Sequence, residues 1–162
     1  PIPMTVGNDM NFLTMGCWAQ KHPDAGSLVT LFMGGNGIGG GMVINGRLWT
    51  GASGYCSEVG FLPVYERLNK GSLGLPPAEH ISELYARLIQ IYAVTVNPHM
   101  MVLYRHPLLE GRLDEIRRLC ASYLPSKAIP SIELSYDYQQ DYEKGLFTVA
   151  KSMGQAVSEG GL

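Results

Sequence analysis

The residues with most chemical potential lie between Gly34 and Val64, in GGNGIGGGMVINGRLWTGASGYCSEVGFLPV. Six glycines, Gly34, Gly35, Gly37, Gly39, Gly40 and Gly41, fall within eight positions directly behind the apolar run Leu28 to Met33. Glycine lets the backbone turn at positive φ and lets a ligand or another strand approach where a Cβ would block it. A strand running into such a loop can present backbone N–H groups to an anion, most often a phosphate. The same residues also fit a strained β-hairpin corner that binds nothing. Upstream, Asn8 and Asp9 stand where a helix N-cap belongs.

The elements that must hold these groups follow from hydrophobic spacing. Pro1 to Val6 has the pattern of a short buried strand ended by Gly7. Phe12, Leu13, Met15 and Trp18 recur at helical spacing from Asn8 or Asp9 through Gln20. Lys21 to Ser27 is a loop by composition. Leu28 to Met33, Gly40 to Ile44 and Arg47 to Thr50 are expected strands, the last two joined at Asn45-Gly46, a strong hairpin signal. Gly51 to Gly60 is irregular or a short helix, and Lys70 to Pro77 is a second loop. Pro77 or Ala78 opens a long helix whose core face carries Ile81, Leu84, Tyr85, Leu88, Ile89 and Tyr92, and Asn97-Pro98 ends it. Then come a strand from Met100 to Tyr104, a helix from Leu113 to Tyr123, a strand from Ile132 to Tyr136 and a helix from Tyr142 to Val157. A β-meander followed by α-β-α-β-α alternation predicts an α/β layer architecture on a mixed sheet.

The bulk numbers narrow the class. At 162 residues, 46% apolar and 16% charged, the chain has the size and composition of one globular domain. A net charge of −2 offers no electrostatic reason for direct nucleic-acid binding. Arg112, Arg117 and Arg118 stand at helical spacing beside Asp114 and Glu115, the pattern of a solvated helix face. Cys17, Cys56 and Cys120 are odd in number and far apart, which argues against a disulfide framework or a Cys-x-x-Cys zinc site and fits a reducing, cytoplasmic setting. No apolar run approaches the ~20 residues of a membrane-spanning helix. The opening at Pro1, without methionine, suggests a piece of a longer protein.

Four motifs in order, GNDMNFLTMG, GNGIGGG, VINGRLWTGASG and SEVGFLPV, resemble those of ROK proteins (repressors, open reading frames and kinases). The resemblance covers roughly the whole chain and is strongest from Asn8 to Val64. It implies the actin-like, ribonuclease-H-like fold, with residues 1–162 as the C-terminal lobe of two: a strand and inter-lobe helix over 1–22, the lobe core over 27–162, and the N-terminal lobe absent. The family binds a hexose between the lobes, and its kinases transfer the ATP γ-phosphate to a sugar hydroxyl. Carried over, Asp9 falls on the catalytic base, a role that suits a carboxylate at a strand-to-helix turn. Asn8 falls on a sugar-contacting amide and Glu58 on a carboxylate that holds ring hydroxyls. Gly35, Asn36, Gly37, Gly39 and Gly40 fall on the second phosphate loop. Helix capping remains the alternative for Asn8 and Asp9.

The chain also departs from the family. Asn36 replaces a threonine of the phosphate loop, and Ser57 replaces a glycine before Glu58. Phe61 replaces a histidine that touches the sugar and ligates zinc, and Leu62 to Pro77 holds no cysteine. No zinc site is therefore expected, and Phe61 is expected to fill the vacated space while apolar contacts order Leu62 to Pro77. Tyr104 and Arg105 stand at strand-end glycines, where their side chains would crowd an adenine nucleotide; Tyr104 could instead stack on a base.

These changes favour the sugar-sensing part of a ROK-type transcriptional regulator, probing DNA only through an upstream domain and carrying no cofactor in this chain. The alternative is a divergent hexose kinase using Mg-ATP with Asp9 as base. A third reading is a non-catalytic lobe that serves in dimerisation, since family members commonly form homodimers.

Overall fold

The computed structural model describes residues 7–68 and 74–159, so the expected strand from Pro1 to Val6 lies outside the described residues, as does part of the loop from Lys70 to Pro77. Helix α1 (Asp9–Lys21) precedes three strands, β1 (Ser27–Gly34), β2 (Gly37–Ile44) and β3 (Arg47–Leu48). Short helix α2 (Pro63–Leu68) leads to α3 (Ile81–Thr95), β4 (Met100–Tyr104), α4 (Leu113–Tyr123), β5 (Ser131–Ser135) and α5 (Tyr138–Glu159). The sheet order is β3-β2-β1-β4-β5. The first three strands form an antiparallel meander, while β4 joins β1, and β5 joins β4, in parallel. The expected mixed α/β sheet is thus present.

Both faces of the sheet are covered, which is why β1 and β4 have continuous apolar sequences. Val29, Leu31, Met33, Met101 and Leu103 pack with α3 and α4, including Leu84, Leu88, Ile116 and Cys120. On the other face Leu28, Val102 and Tyr104 pack with Met10, Leu13 and Cys17 of α1, and Phe32, Tyr138 and Tyr142 close the edge. All six residues foreseen for the core face of α3 are buried.

Two differences from the sequence expectation concern boundaries. Strand β2 starts at Gly37, because Gly37, Gly39, Gly40 and Gly41 pair with Gly34, Phe32, Leu31 and Thr30 of β1. The glycine run is therefore mostly strand, with a turn only at Gly35-Asn36. Helix α5 starts at Tyr138, four residues early, with Tyr138 and Tyr142 stacked at 6.0 Å on one helix face. The hairpin at Asn45-Gly46 is as expected, both residues at positive φ (50° and 72°) between the paired Ile44 and Arg47.

Helices α1 and α5 approach backbone to backbone at two glycines. A Cβ on Gly16 would lie 1.6 Å from the Asp141 carbonyl oxygen, and one on Gly145 would lie 1.7 Å from that of Phe12. Beneath this contact is a buried polar cluster. Asp141, fully buried, accepts from Lys21 Nζ at 2.9 Å and from the Tyr104 hydroxyl at 2.6 Å, both on Oδ2. Lys21 also reaches Asp137 at 3.0 Å and Ser135 Oγ at 3.1 Å.

Candidate functional site

Helix α1 starts where Asn8 can cap it. Asn8 Oδ1 accepts from Met10 N–H at 2.8 Å, and Asp9 Oδ1 accepts from the same group at 2.8 Å. The capping alternative is therefore real for Asn8, whereas Asp9 is the first residue of the helix and accepts from the N–H next to it. Asn8 does more than cap, because its Nδ2 donates to Glu58 Oε1 at 3.2 Å across fifty positions of sequence. Asn8 and Asp9 are exposed and Glu58 is half-buried, so all three polar groups remain within reach of a solute.

Asp9 lines a cleft of about 250 Å³ together with Met10, Phe32 and the β1–β2 turn from Gly34 to Gly39. The turn is open at Gly35, where an added Cβ would meet nothing within 4 Å, and Asn36 is exposed. The carboxylate at the start of α1 and the glycine turn thus face one space. Below it Phe32 stacks on Tyr138 at 4.5 Å, and Tyr104 meets Tyr138 edge-on at 6.0 Å. Burial, then the charge of Asp9, pushes the Tyr138 phenol above its ordinary range. Phe32 and Tyr138 were not foreseen at this site. The four-residue step from Tyr138 to Tyr142 was the available signal.

The remaining glycines of the run pack against protein. On one face of β2, a Cβ on Gly39 would come 2.8 Å from Met10 Cγ, and one on Gly41 would come 1.9 Å from Thr14 Oγ1. On the other, a Cβ on Gly40 would come 2.8 Å from the Ser57 carbonyl oxygen. Thr14 also shares a hydrogen bond with Thr30 on β1 at 2.6 Å, which fixes α1 over the hairpin. Of the residues assigned to the phosphate loop, Gly35 and Asn36 form the open turn, while Gly37, at the first position of β2 with the Tyr65 hydroxyl 2.6 Å from where its Cβ would lie, and Gly39 and Gly40 stand within the strand.

Glu58 sits at the start of a single 3₁₀ turn, Val59–Phe61, after Ser57. Ser57 has φ of +69°, a left-handed conformation that costs a non-glycine residue about 1–2 kcal/mol. That geometry explains why glycine suits the position. Glu58 also borders a smaller pocket of about 180 Å³ with Tyr55, Ser57, Val59, Leu62, Ile91 and Tyr92.

Two sequence expectations are corrected here. Phe61 does not fill a space in the core: it is 75% exposed. The packing assigned to it comes from Val59 and Tyr65, both buried, and from Leu62, Val64 and Leu68, which lie against the core. Tyr104 does not crowd a nucleotide at the strand end, nor is it placed to stack on a base. It is 1% exposed and points into the α1–α5 layer, where burial and its Cys17 and Asp141 neighbours push its phenol far up. Arg105 is exposed and held by Glu110 at 2.6 Å. Among the described residues, no group of three or more His, Cys, Asp or Glu side chains is placed to hold a metal ion. None of their helices is long and apolar enough to cross a membrane.

The fold and these motifs define a class. The sequence model of the ROK family matches residues 1–79 of the chain. It is similar to a glucokinase of Halalkalibacterium halodurans, 33% identical over 63 residues, which are 39% of this chain and 19% of the glucokinase. Among solved structures it resembles the ROK hexokinase of Thermus thermophilus, with a TM-score of 0.70 and 16% identity over 96% of this chain and 67% of that one. It also resembles a ROK family protein of Streptococcus pneumoniae, solved in complex with sucrose, with a TM-score of 0.65 and 16% identity over 91% of this chain and 66% of that one. The fold is therefore the actin-like ATPase fold of these structures. The curated relative is matched over only a fifth of its length.

Proposed function

We propose that this lobe forms one wall of a sugar site and that the intact protein transfers a phosphoryl group from ATP to the bound sugar. The observation that carries this reading is the shared cleft: Asp9 and the open Gly35-Asn36 turn line the same space, and Asn8 links that space to Glu58. Asn8 and Glu58 would hold ring hydroxyls, and Asp9 would take the proton from the hydroxyl that is phosphorylated. Backbone N–H groups of the turn would contact the phosphates. The open space over Gly35 fits that use. Mg-ATP would supply the γ-phosphoryl group. The burial of Tyr104 removes one objection that the sequence raised to a nucleotide.

The second reading is a sugar sensor without turnover, acting on DNA through a domain outside this chain. Asn36 favours it, since an exposed amide stands where the family's threonine hydroxyl would meet the phosphates. In a sensor, sugar would shift the lobe-closure equilibrium through unequal affinity for the two states. The intact protein, given ATP and a hexose panel, separates the readings. ATP consumption that depends on sugar and is lost in Asp9→Asn supports the kinase; sugar-dependent thermal stabilisation without turnover overturns it in favour of the sensor.

A further inference from the structure

The turn that shares a cleft with Asp9 has little of its own to hold it. Gly34, Gly35, Gly37 and Gly39 carry no side chain to pack, and glycine loses more freedom on ordering than any other residue. On its inner edge β2 pairs with β1 from Gly37 onward. On its outer edge β3 reaches only Val43 and Ile44, so no strand among the described residues lies beside Gly37 and Ile38.

A hydroxyl stands at that uncovered edge. Tyr65 Oη lies 2.6 Å from where a Cβ on Gly37 would be, and Gly37 has φ of +126°, a backbone angle that favours glycine. The same hydroxyl donates to the Gly74 carbonyl at 2.6 Å. Burial raises the Tyr65 phenol, and a hydrogen bond with the Ile38 backbone opposes that rise. One oxygen thus joins β2, just behind the turn, to Gly74, with its proton toward one and a lone pair toward the other. The ring that carries it is 2% exposed and belongs to the same core as Met33, Ile38 and Tyr85. Close packing of that ring therefore sets where the hydroxyl stands.

Backbone N–H groups stabilise a phosphate best when they already point at it before it arrives. We propose that Tyr65 is a positioning residue for the phosphate side of the site: its hydroxyl holds Gly37 and Ile38, and through them the Gly35-Asn36 turn, in the arrangement that receives the nucleotide. Tyr65 does not line the cleft, so it acts through the turn. Asn8 and Glu58 are tied to each other and not to Tyr65, so the effect falls on the nucleotide and spares the sugar. This inference rests on the phosphoryl-transfer reading above and names a residue that reading does not use.

Tyr65→Phe removes the oxygen and keeps the buried ring. In the intact protein this variant is expected to raise KM for Mg-ATP about tenfold. The Kd of a non-hydrolysable ATP analogue with magnesium, read by calorimetry, should rise with it, while KM for the sugar moves by less than about twofold. Tyr85→Phe is the control. Tyr85 is buried in the same core, and its hydroxyl has no hydrogen-bond partner among the described residues, so all three constants should stay within about twofold. A lower Tm in Tyr65→Phe with unchanged nucleotide constants overturns the proposal and assigns the hydroxyl to holding Gly74 alone. Equal rises in the nucleotide and sugar constants overturn it too, as does the same nucleotide loss in Tyr85→Phe, since each marks a general loosening of the core. Those outcomes leave the kinase reading standing. Analogue binding without turnover, weakened about tenfold by Tyr65→Phe, keeps the positioning role and overturns the kinase reading alone. If the unmodified protein binds no nucleotide, the positioning role and the kinase reading fall together.

Discussion

Lys21 Nζ lies 2.9 Å from Asp141 Oδ2, and the carboxylate it meets is wholly excluded from water. This ion pair ties the last turn of α1 to the first turn of α5. Its value depends on both partners being present, since a buried charge that loses its partner keeps its desolvation cost. Lys21→Met is therefore expected to destabilise the domain by on the order of 3–5 kcal/mol. Lys21→Met combined with Asp141→Leu should recover much of that loss. Urea unfolding of the two variants checks the pair; a double variant no better than the single would reject this account.

Gly16 and Gly145 make a sharper demand on the same helix pair. At both positions a methyl group would fall on a carbonyl oxygen of the other helix, and no rotamer change relieves a clash with backbone. Gly16→Ala and Gly145→Ala should each cost roughly 1–3 kcal/mol or more, read as a lower urea midpoint. Gly35→Ala, where the Cβ meets open space, is the control and should unfold at nearly the unmodified midpoint.

Asn8 combines two roles that substitution can separate. Asn8→Ala loses the cap, worth about 1 kcal/mol, together with the donor to Glu58. Asn8→Asp keeps a good cap but removes the Nδ2 donor and sets a second carboxylate beside Glu58. Sugar affinity should fall in both variants, while Tm should fall less in Asn8→Asp. If affinity followed Tm across the pair, capping alone would account for Asn8.

Turnover offers the corresponding test of Asp9. With the intact protein, Asp9→Asn should lower kcat by about 10²–10⁴-fold and change KM far less. A variant within tenfold of the unmodified kcat would exclude Asp9 as the base.

Alkaline pH should weaken the fold. Burial raises the Cys17 thiol from its ordinary value of 9.0 to about 12 and the Cys120 thiol to about 11. It raises the Tyr92 phenol from 10.0 to about 12 and pushes those of Tyr85 and Tyr104 upward too. Each group is neutral when protonated, so between its unfolded and folded pKa the native state binds more protons than the unfolded chain. Their contribution is complete below the unfolded values and is lost as pH rises through the folded ones. The urea midpoint should fall steadily from pH 9 towards pH 12. A midpoint that held or rose across that window would contradict the burial of these groups.

The sequence is most informative where local signals and tertiary packing agree. Met100 to Tyr104 and Leu113 to Tyr123 have the foreseen ends, and Asn45-Gly46 turns as its residue types require. Local pattern fails where a residue's neighbours come from distant segments. Gly37 to Gly39 resembles loop on composition but is strand, because Tyr65 and Met10 of α1 occupy the space that side chains at Gly37 and Gly39 would need. The direction of Tyr104 is not legible in a strand buried on both faces. Asn8, Asp9 and Glu58 were selected by motif, and the Asn8–Glu58 hydrogen bond joins two of them. Phe61 was misplaced because its aromatic type was taken as a sign of burial.

The glycines at 39, 40 and 41 have one more consequence. With α1 resting on one side of this strand and the Ser57 carbonyl on the other, a bare peptide ribbon is the whole thickness between them. It works as a shim: its thinness sets how near the start of α1 comes to the segment carrying Glu58. A methyl group on either side would widen the stack and draw Asn8 away from its acceptor. In this molecule the reach of a polar clamp is gauged by the thinness of the strand between its two supports.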